Sequence, residues 1–224
     1  MNTLATIAPF LNQLFEEADA SSPALQSLAA KFSEGEHEHF MRSKTEYLEL
    51  YTQLKDFPLP VSRETGTLLY MLARSTNAQA IVEFGTSFGI STLHLAAALR
   101  DNGGGQLITS EFEASKVIQA RKNLATGGLI DLVEIREGDA LQTLRTNLPA
   151  VIDLVLLDGA KALYPEILNL LEGNLKVGAL VVADNADYSP EYLARVREPA
   201  NGYLSLAFSE DVELSIWIGT HKSH

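Results

Sequence analysis

The sequence contains no cysteine. That removes disulfides, thiolate metal centres and cysteine nucleophiles, and it leaves the redox compartment open. The chain is also short of positive charge: 17 Lys and Arg stand against 29 Asp and Glu, a formal net charge of -12. A surface of that sign repels nucleic acid and anionic membranes, so neither is expected as a partner. No stretch approaches the run of about 18 apolar residues that a membrane span needs. The opening MNTLATIAPFLNQLFEEADA has acids, no early Lys or Arg and no unbroken apolar core. The pattern of a secretory leader is missing, and a cytoplasmic location is the expectation. Internal repeats and low-complexity segments are absent as well.

What is present is an ordinary globular balance, 46% hydrophobic and 21% charged over 224 residues, enough for one sizeable α/β domain. Residues 1 to 56 read as helical. In APFLNQLFEEA, Phe10, Leu11, Leu14 and Phe15 share a face. In SSPALQSLAAKF, Ser22 offers an N-cap and Pro23 a first helical position. EHEHFMRSKTEYLELYTQLKDF reads as one charged helix with Tyr47, Leu48, Tyr51 and Leu54 along one side. The apolar stripes of these helices suggest either a homodimer interface or a lid over an acceptor. PLPVS at 58–62 interrupts the pattern, and RETGTLLYMLARST resumes it.

From residue 80 the texture changes. AIVEFG, LITSEF, LVEIREGDA, VIDLVLLDGA and VGALVVADNA are five strands separated by helical stretches. Their two-sided apolar character predicts a doubly wound, mostly parallel sheet covered by helices on both faces. GYLSLAFSEDVELSIWIG adds an antiparallel hairpin at the sheet edge, turning near Ser209–Asp211, with Trp217 in its core. Pro58–Pro60 reads as a junction inside one domain: a helical extension over 1–57 and an α/β core over 58–224.

The stretch IVEFGTSFGIS, residues 81–91, carries the first functional signal. Gly85 and Gly89 fall where the first strand turns into a helix, at the carboxyl end of the strands, where open α/β sheets bind ligands. Glycine permits a tight turn and lets a ligand approach. The spacing lacks the third glycine of the dinucleotide fingerprint, and Glu83 would repel a phosphate; both argue against a nucleotide-binding oxidoreductase. Glu111 ends the second strand, where a carboxylate can accept from both ribose hydroxyls. Asp139 ends the third, near where an adenine edge would lie, and Asp158 ends the fourth. Each acid alone reads as a solvated strand-end residue. Together they suit a ligand with ribose, adenine and a cationic group but no phosphate, namely S-adenosylmethionine. His37 and His39, straddling Glu38, read as solvated, His94 as packed within its helix, and His221 and His224 as part of a polar tail.

VEFGTSFGIS, SEFEASKVIQARKNL, EGDAL, LLDGAKALY and LVVADN occur in order and at suitable spacing. Together they resemble the S-adenosylmethionine-dependent O-methyltransferases of the catechol and caffeoyl-CoA type, in their small bacterial form, over about residues 58–186. The resemblance implies a Rossmann-like class I methyltransferase fold of seven strands, six running one way and one reversed. It implies that the turn Gly85, Thr86, Ser87, Gly89 and Ser91 lines the methionine end of the cofactor, with Glu83 nearby. Glu111 would hold the ribose, Phe112 would pack on adenine, Asp139 and Ala140 would close that pocket, and Val61 would touch the cofactor. Asp158, Asp184 and Asn185 offer three hard oxygens from adjacent strand ends, a donor set suited to magnesium or calcium. In the family such a metal binds two vicinal oxygens of the acceptor, Lys161 matches the general base, and Tyr164 flanks the site. Glu213 lies near an acid that touches the acceptor, and ADYSPEYLARVREPANGY is shorter than its counterpart. A metal-free methyl transfer to an amine or lone hydroxyl, and a non-catalytic S-adenosylmethionine-binding protein, stay open beside this reading.

Overall fold

A computed structural model describes residues 2–219 of the chain. Its helices are α1 (Thr3–Ala29), α2 (Glu34–Arg42), α3 (Tyr47–Gln53), α4 (Arg63–Ser75), α5 (Ile90–Asp101), α6 (Ala114–Thr126), α7 (Ala140–Thr143), α8 (Tyr164–Leu171) and α9 (Pro190–Val196). Its strands are β1 (Ala80–Phe84), β2 (Gln106–Glu111), β3 (Val133–Glu137), β4 (Ile152–Leu157), β5 (Leu175–Ala183), β6 (Tyr203–Ala207) and β7 (Glu213–Trp217). They form one sheet in the order β3-β2-β1-β4-β5-β7-β6. The first five strands pair in parallel, and β7 runs antiparallel to both β5 and β6, so β7 alone is reversed. The terminal hairpin forms as expected, but its second strand takes the inner place and leaves β6 on the edge. Trp217 packs on Tyr203 across that hairpin, ring centroids 4.7 Å apart.

Period-2 alternation divides the strand side chains between two faces. Ile81, Leu154 and Leu156 join the core beneath α4 and α5, with Leu69, Leu95 and Leu99. Val82, Val155 and Leu157 point the other way, onto Leu163, Ile167 and Leu168 around α8. Both faces are covered, which is why the central strands carry continuous apolar runs.

The N-terminal region departs from the sequence reading in two places. Residues 3–29 form one helix rather than two, with Pro23 inside it and Ser22 not a cap. The hydroxyls of Ser21 and Ser22 both donate to the Ala18 carbonyl, at 2.7 and 3.3 Å, so the turn before the proline keeps its polar groups paired. The charged helix over 36–57 is in turn split into α2 and α3. Ser33 starts α2 with a capping box closed by Glu36. The Ser43 hydroxyl then accepts from the amides of Thr45 and Glu46, at 3.3 and 3.0 Å, a local turn that competes with helix continuation. The apolar stripe of α1 is spent inside the chain, since Ile7, Leu11, Leu14 and Phe15 pack against Leu93 and Ala97 of α5 and Val117 of α6. Among the described residues no helix is long and apolar enough to cross a membrane. His221 and His224 lie outside the described residues.

Candidate functional site

The winding reverses at β1: the chain moves outward through β2 and β3, then returns across β1 to β4 and β5. A crevice therefore opens over the carboxyl ends of β1 and β4. The turn after β1 is held very close to the turn after β4. Gly85 has φ +102°, and a Cβ there would overlap the carbonyl of Asp158, so the glycine is required by backbone approaching backbone. Ser87 also takes a left-handed φ, +47°. Its amide donates to the Glu111 carboxylate at 2.8 Å, while its hydroxyl accepts from the Leu59 amide at 3.1 Å. One residue thus ties the β1 turn to the end of β2 and to the 58–60 segment.

A cavity of about 370 Å³ occupies this crevice. Of the residues singled out from sequence, Gly85, Ser87, Glu111, Phe112, Asp139, Ala140 and Asp158 line it. Glu111 is buried, and its carboxylate faces two amide donors, Ser87 at 2.8 Å and Glu113 at 3.0 Å. Burial raises its pKa, with those amides and the Lys116 charge pulling the other way. Asp139 caps α7 through the Leu141 amide at 2.9 Å. The carboxylates stand at the end of the cavity formed by β2 and β3, where a hydroxyl-rich or amine-bearing ligand would find acceptors.

Five of the candidate cofactor-binding residues do not line this cavity. Glu83 shares strand parity with Ile81 and so points under α5, fully buried, where Ser91 and Thr92 each donate to it at 2.6 Å. Burial pushes its pKa up to about 7, against three hydroxyl hydrogen bonds that favour the charged form. Ser91 is consumed by that bond, and Thr86 by a 2.6 Å bond to Thr109. Gly89 caps α5 in a left-handed conformation. Val61 is core, packed with the α4 and α5 cluster, and Leu59, two residues earlier, lines the crevice in its place.

A second cavity, about 570 Å³, adjoins the first. Lys161, Asp184 and Asn185 line it, and Asp158, Tyr51 and Leu59 border both. Here the polar groups are crowded. Lys161 donates to Asp158 at 2.8 Å, and both side chains are almost wholly buried. Burial works to lower the Lys161 pKa, but the charges around it, Asp158 first, hold it well above the ordinary range. Asp158 is itself raised, burial outweighing its lysine. Asp184 is pushed up to about 7 by burial and by the charge of Asp158, with Asp211 adding to the repulsion. Tyr164 donates to the Asp184 carbonyl at 2.7 Å and sets the β5 turn against α8. Asn185 sits at φ +48° with its amide 3.5 Å from Asp211.

Tyr47 and Tyr51, one turn apart on α3 and part of the apolar stripe read from the sequence, close the first cavity from above. Two further lining residues were not singled out as site residues. Lys116 is 3% exposed on α6 and faces the first cavity, its pKa lowered by burial and held back by Glu111. His37, read as solvated, is half-buried in the wall of the second cavity, edge-on to Tyr188. Glu213 lines neither cavity: it is bound by Arg197 through two bonds, 2.9 and 2.7 Å, and by Ser205.

The strand order, the reversed β7 and a crevice of acids at the switch point define the class I methyltransferase fold. The chain belongs to the O-methyltransferase family, whose model matches residues 33–211. It is 35% identical over 130 residues to the catechol O-methyltransferase of Niastella koreensis, a match covering 57% of this chain and 58% of that protein. It is 30% identical over 174 residues to catechol O-methyltransferase B of Danio rerio, covering 74% and 65%. The chain thus spans less than two thirds of the length of these curated relatives. Among solved structures, the O-methyltransferase TomG of Streptomyces achromogenes in complex with SAM superposes with a TM-score of 0.61 at 29% identity, covering 82% of this chain and 94% of that one.

Proposed function

We propose that the chain is an S-adenosylmethionine-dependent O-methyltransferase that moves a methyl group to one hydroxyl of a vicinal-dioxygen aromatic acceptor, with a divalent cation at the acceptor. The observation that carries this is the junction of the two cavities at Asp158. On one side stand Gly85 and Glu111, on the other Lys161, Asp184 and Asn185, so donor and acceptor would meet across a single strand end. Family membership and the SAM complex of TomG support the donor.

In this reading Glu111 accepts from the ribose, Phe112 and Ala140 bound the adenine, and Gly85 and Ser87 leave room for the amino-acid end. The donor supplies a methyl group on a cationic sulfur. The chain supplies orientation, exclusion of water by Tyr47 and Tyr51, and a base. The donor set suits a divalent cation: two buried carboxylates that repel one another, beside an amide oxygen, are what a hard ion with water ligands relieves. Held by Asp158, Asp184 and Asn185, such an ion would anchor the acceptor oxygens, lower the hydroxyl pKa and engage the carboxylates that now keep Lys161 protonated. Lys161 could then accept the hydroxyl proton at Nζ.

A metal-free transfer is the second reading. It is favoured by the existing 2.8 Å Lys161–Asp158 pair, which already gives Asp158 a partner. One assay separates the two: labelled S-adenosylmethionine with a panel of dihydroxy aromatics and amines, with and without chelator. Transfer to the dihydroxy acceptors that stops with chelator and returns with magnesium or calcium is expected. Transfer indifferent to chelator would select the second reading, and failure to bind S-adenosylmethionine would remove both.

A further inference from the structure

Resting on the methyltransferase reading, one residue of the first cavity carries an unpaired charge. Lys116 is 3% exposed, yet it lines the cavity. Its Nζ makes no hydrogen bond or salt bridge with the described residues. What acts on it is burial and the charges of Glu111, Glu113, Asp158 and Asp56, Glu111 first among the acids. Glu166 and Tyr192 each have a side-chain oxygen sealed in protein without a partner; Nζ is not sealed in that way and opens on the cavity.

The position is unfavourable for a lysine on two counts. An ammonium taken from water without a partner is disfavoured, and burial accordingly lowers the Lys116 pKa. Lys116 also stands in the first turn of α6, where the free amides of a helix N-terminus disfavour a cation. Its helix neighbours Val117 and Ala120 are core, so an apolar residue would serve the fold at least as well. The acids around it offset part of this at a distance, but none closes onto Nζ. A donor held in this way is matched to an acceptor that arrives with the ligand.

The surrounding charges indicate which part of the ligand that is. Glu111 is the acid that acts on Lys116 most strongly, and the leading acids do not include Asp139, at the adenine end. Each carboxylate oxygen of Glu111 takes one amide, Oε2 from Ser87 and Oε1 from Glu113, and keeps room to accept again. A ribose cis-diol set between the two side chains answers both. Its hydroxyl hydrogens suit the carboxylate, and its hydroxyl oxygens suit the ammonium.

We propose that Lys116 is a cofactor-binding residue: its ammonium donates to a ribose hydroxyl oxygen of S-adenosylmethionine while Glu111 accepts from the same diol. Opposite charges then read the sugar from two sides, and a sugar lacking the hydroxyl that Lys116 meets is selected against.

The test measures binding by calorimetry on the full chain, with weak ligands read by displacement of S-adenosylhomocysteine. The probes are S-adenosylhomocysteine, its 2′-deoxy and 3′-deoxy forms, and 5′-methylthioadenosine, which keeps the ribose and lacks the amino-acid end. Lys116→Met should weaken S-adenosylhomocysteine by at least about tenfold, since it removes a charged hydrogen bond. That loss should persist with 5′-methylthioadenosine and shrink to less than about twofold with at least one deoxy form. The ligand-free melting midpoint of Lys116→Met should equal or exceed that of the parent, because the unpaired charge is gone. Unchanged affinity, a full loss in both deoxy forms, or a loss that vanishes with 5′-methylthioadenosine would overturn the proposal, the last pointing to the amino-acid carboxylate instead. Weaker binding together with a lowered midpoint in both Lys116→Met and Lys116→Gln would make the lysine structural and overturn it as well. A parent protein that fails to bind S-adenosylhomocysteine removes the methyltransferase reading and this proposal with it, whereas a parent that binds beside an unaffected variant removes this proposal alone.

Discussion

Glu83→Gln should make the protein more stable at alkaline pH and leave it unchanged at acid pH. Glu83 is wholly buried, and burial lifts its pKa from the ordinary 4.5 to about 7. Between those values the folded chain holds a proton there that the unfolded chain has released. The unfolded state then binds fewer protons than the folded one, so stability falls as pH rises through that window. Below pH 4.5 both states are protonated and the effect vanishes. Above pH 7 both are ionised, and the penalty reaches its ceiling of about 3 kcal/mol, at about 1.4 kcal/mol per pH unit of separation. Glutamine has the same shape and no charge. Its oxygen can accept from Ser91, and its amide can donate to Thr92 if that hydroxyl turns round, so the hydrogen bonds survive the change. Urea unfolding of both proteins at pH 5, 6, 7 and 8, without ligand, isolates the term, because other titrating groups largely cancel in the difference. The stability difference should grow by about 2–3 kcal/mol between pH 5 and pH 8. A difference constant with pH, or a variant less stable at pH 8, would refute the argument. The same variant bears on function: Glu83 faces α5 rather than the crevice, so S-adenosylmethionine affinity should change less than about threefold, under about 0.7 kcal/mol.

Gly85→Ala combines a positive φ with overlap on the Asp158 carbonyl, and should cost at least about 3 kcal/mol, seen as a fall of more than about 6 °C in the melting midpoint. A midpoint within about 2 °C of the parent would mean the two turns are not held this close. Glu111→Ala removes the acceptor of the Ser87 amide and of the proposed ribose contact; S-adenosylmethionine should bind about 10- to 100-fold more weakly by calorimetry, and unchanged affinity rejects the assignment. Lys161→Met should lower kcat by about 10²–10⁴-fold with cofactor affinity retained, whereas an unaltered kcat would show that another group takes the proton.

The sheet half of this molecule was legible because its signals are local. Each crevice acid follows an apolar strand and precedes a turn, so Glu111, Asp139 and Asp158 can be placed at strand ends by reading a few residues either side. The one local rule left unused was parity. Ile81 and Glu83 are two apart and must share a face, so Glu83 was committed to the α5 side by the same alternation that made the strand recognisable. An acid beside a glycine turn is close to the ligand along the chain and still need not face it. The same limit applies to Val61, which yields its place in the crevice to Leu59.

The placement of the N-terminal helices was only half legible, for a different reason: their apolar stripes suggested a dimer interface or a lid without saying which. Nothing in the α1–α3 sequences says which core surface their apolar faces will meet, because that is fixed by contacts more than a hundred residues away, such as Lys44 with Glu166 and Tyr51 with the Gly159 carbonyl. A histidine on a charged segment therefore reads as solvated until the fold sets it beside Tyr188. This division follows the chemistry. In the proposed function the donor half must present the same carboxylates to the same cofactor, which fixes residues at set distances from strand ends and so leaves a motif. The acceptor half of that proposal needs only a volume, which many sequences can supply. What a family motif leaves open is then the composition of the second cavity's wall, and in this chain Leu25, Leu28, Phe32, Met41, Leu50 and Leu54 make that wall largely apolar.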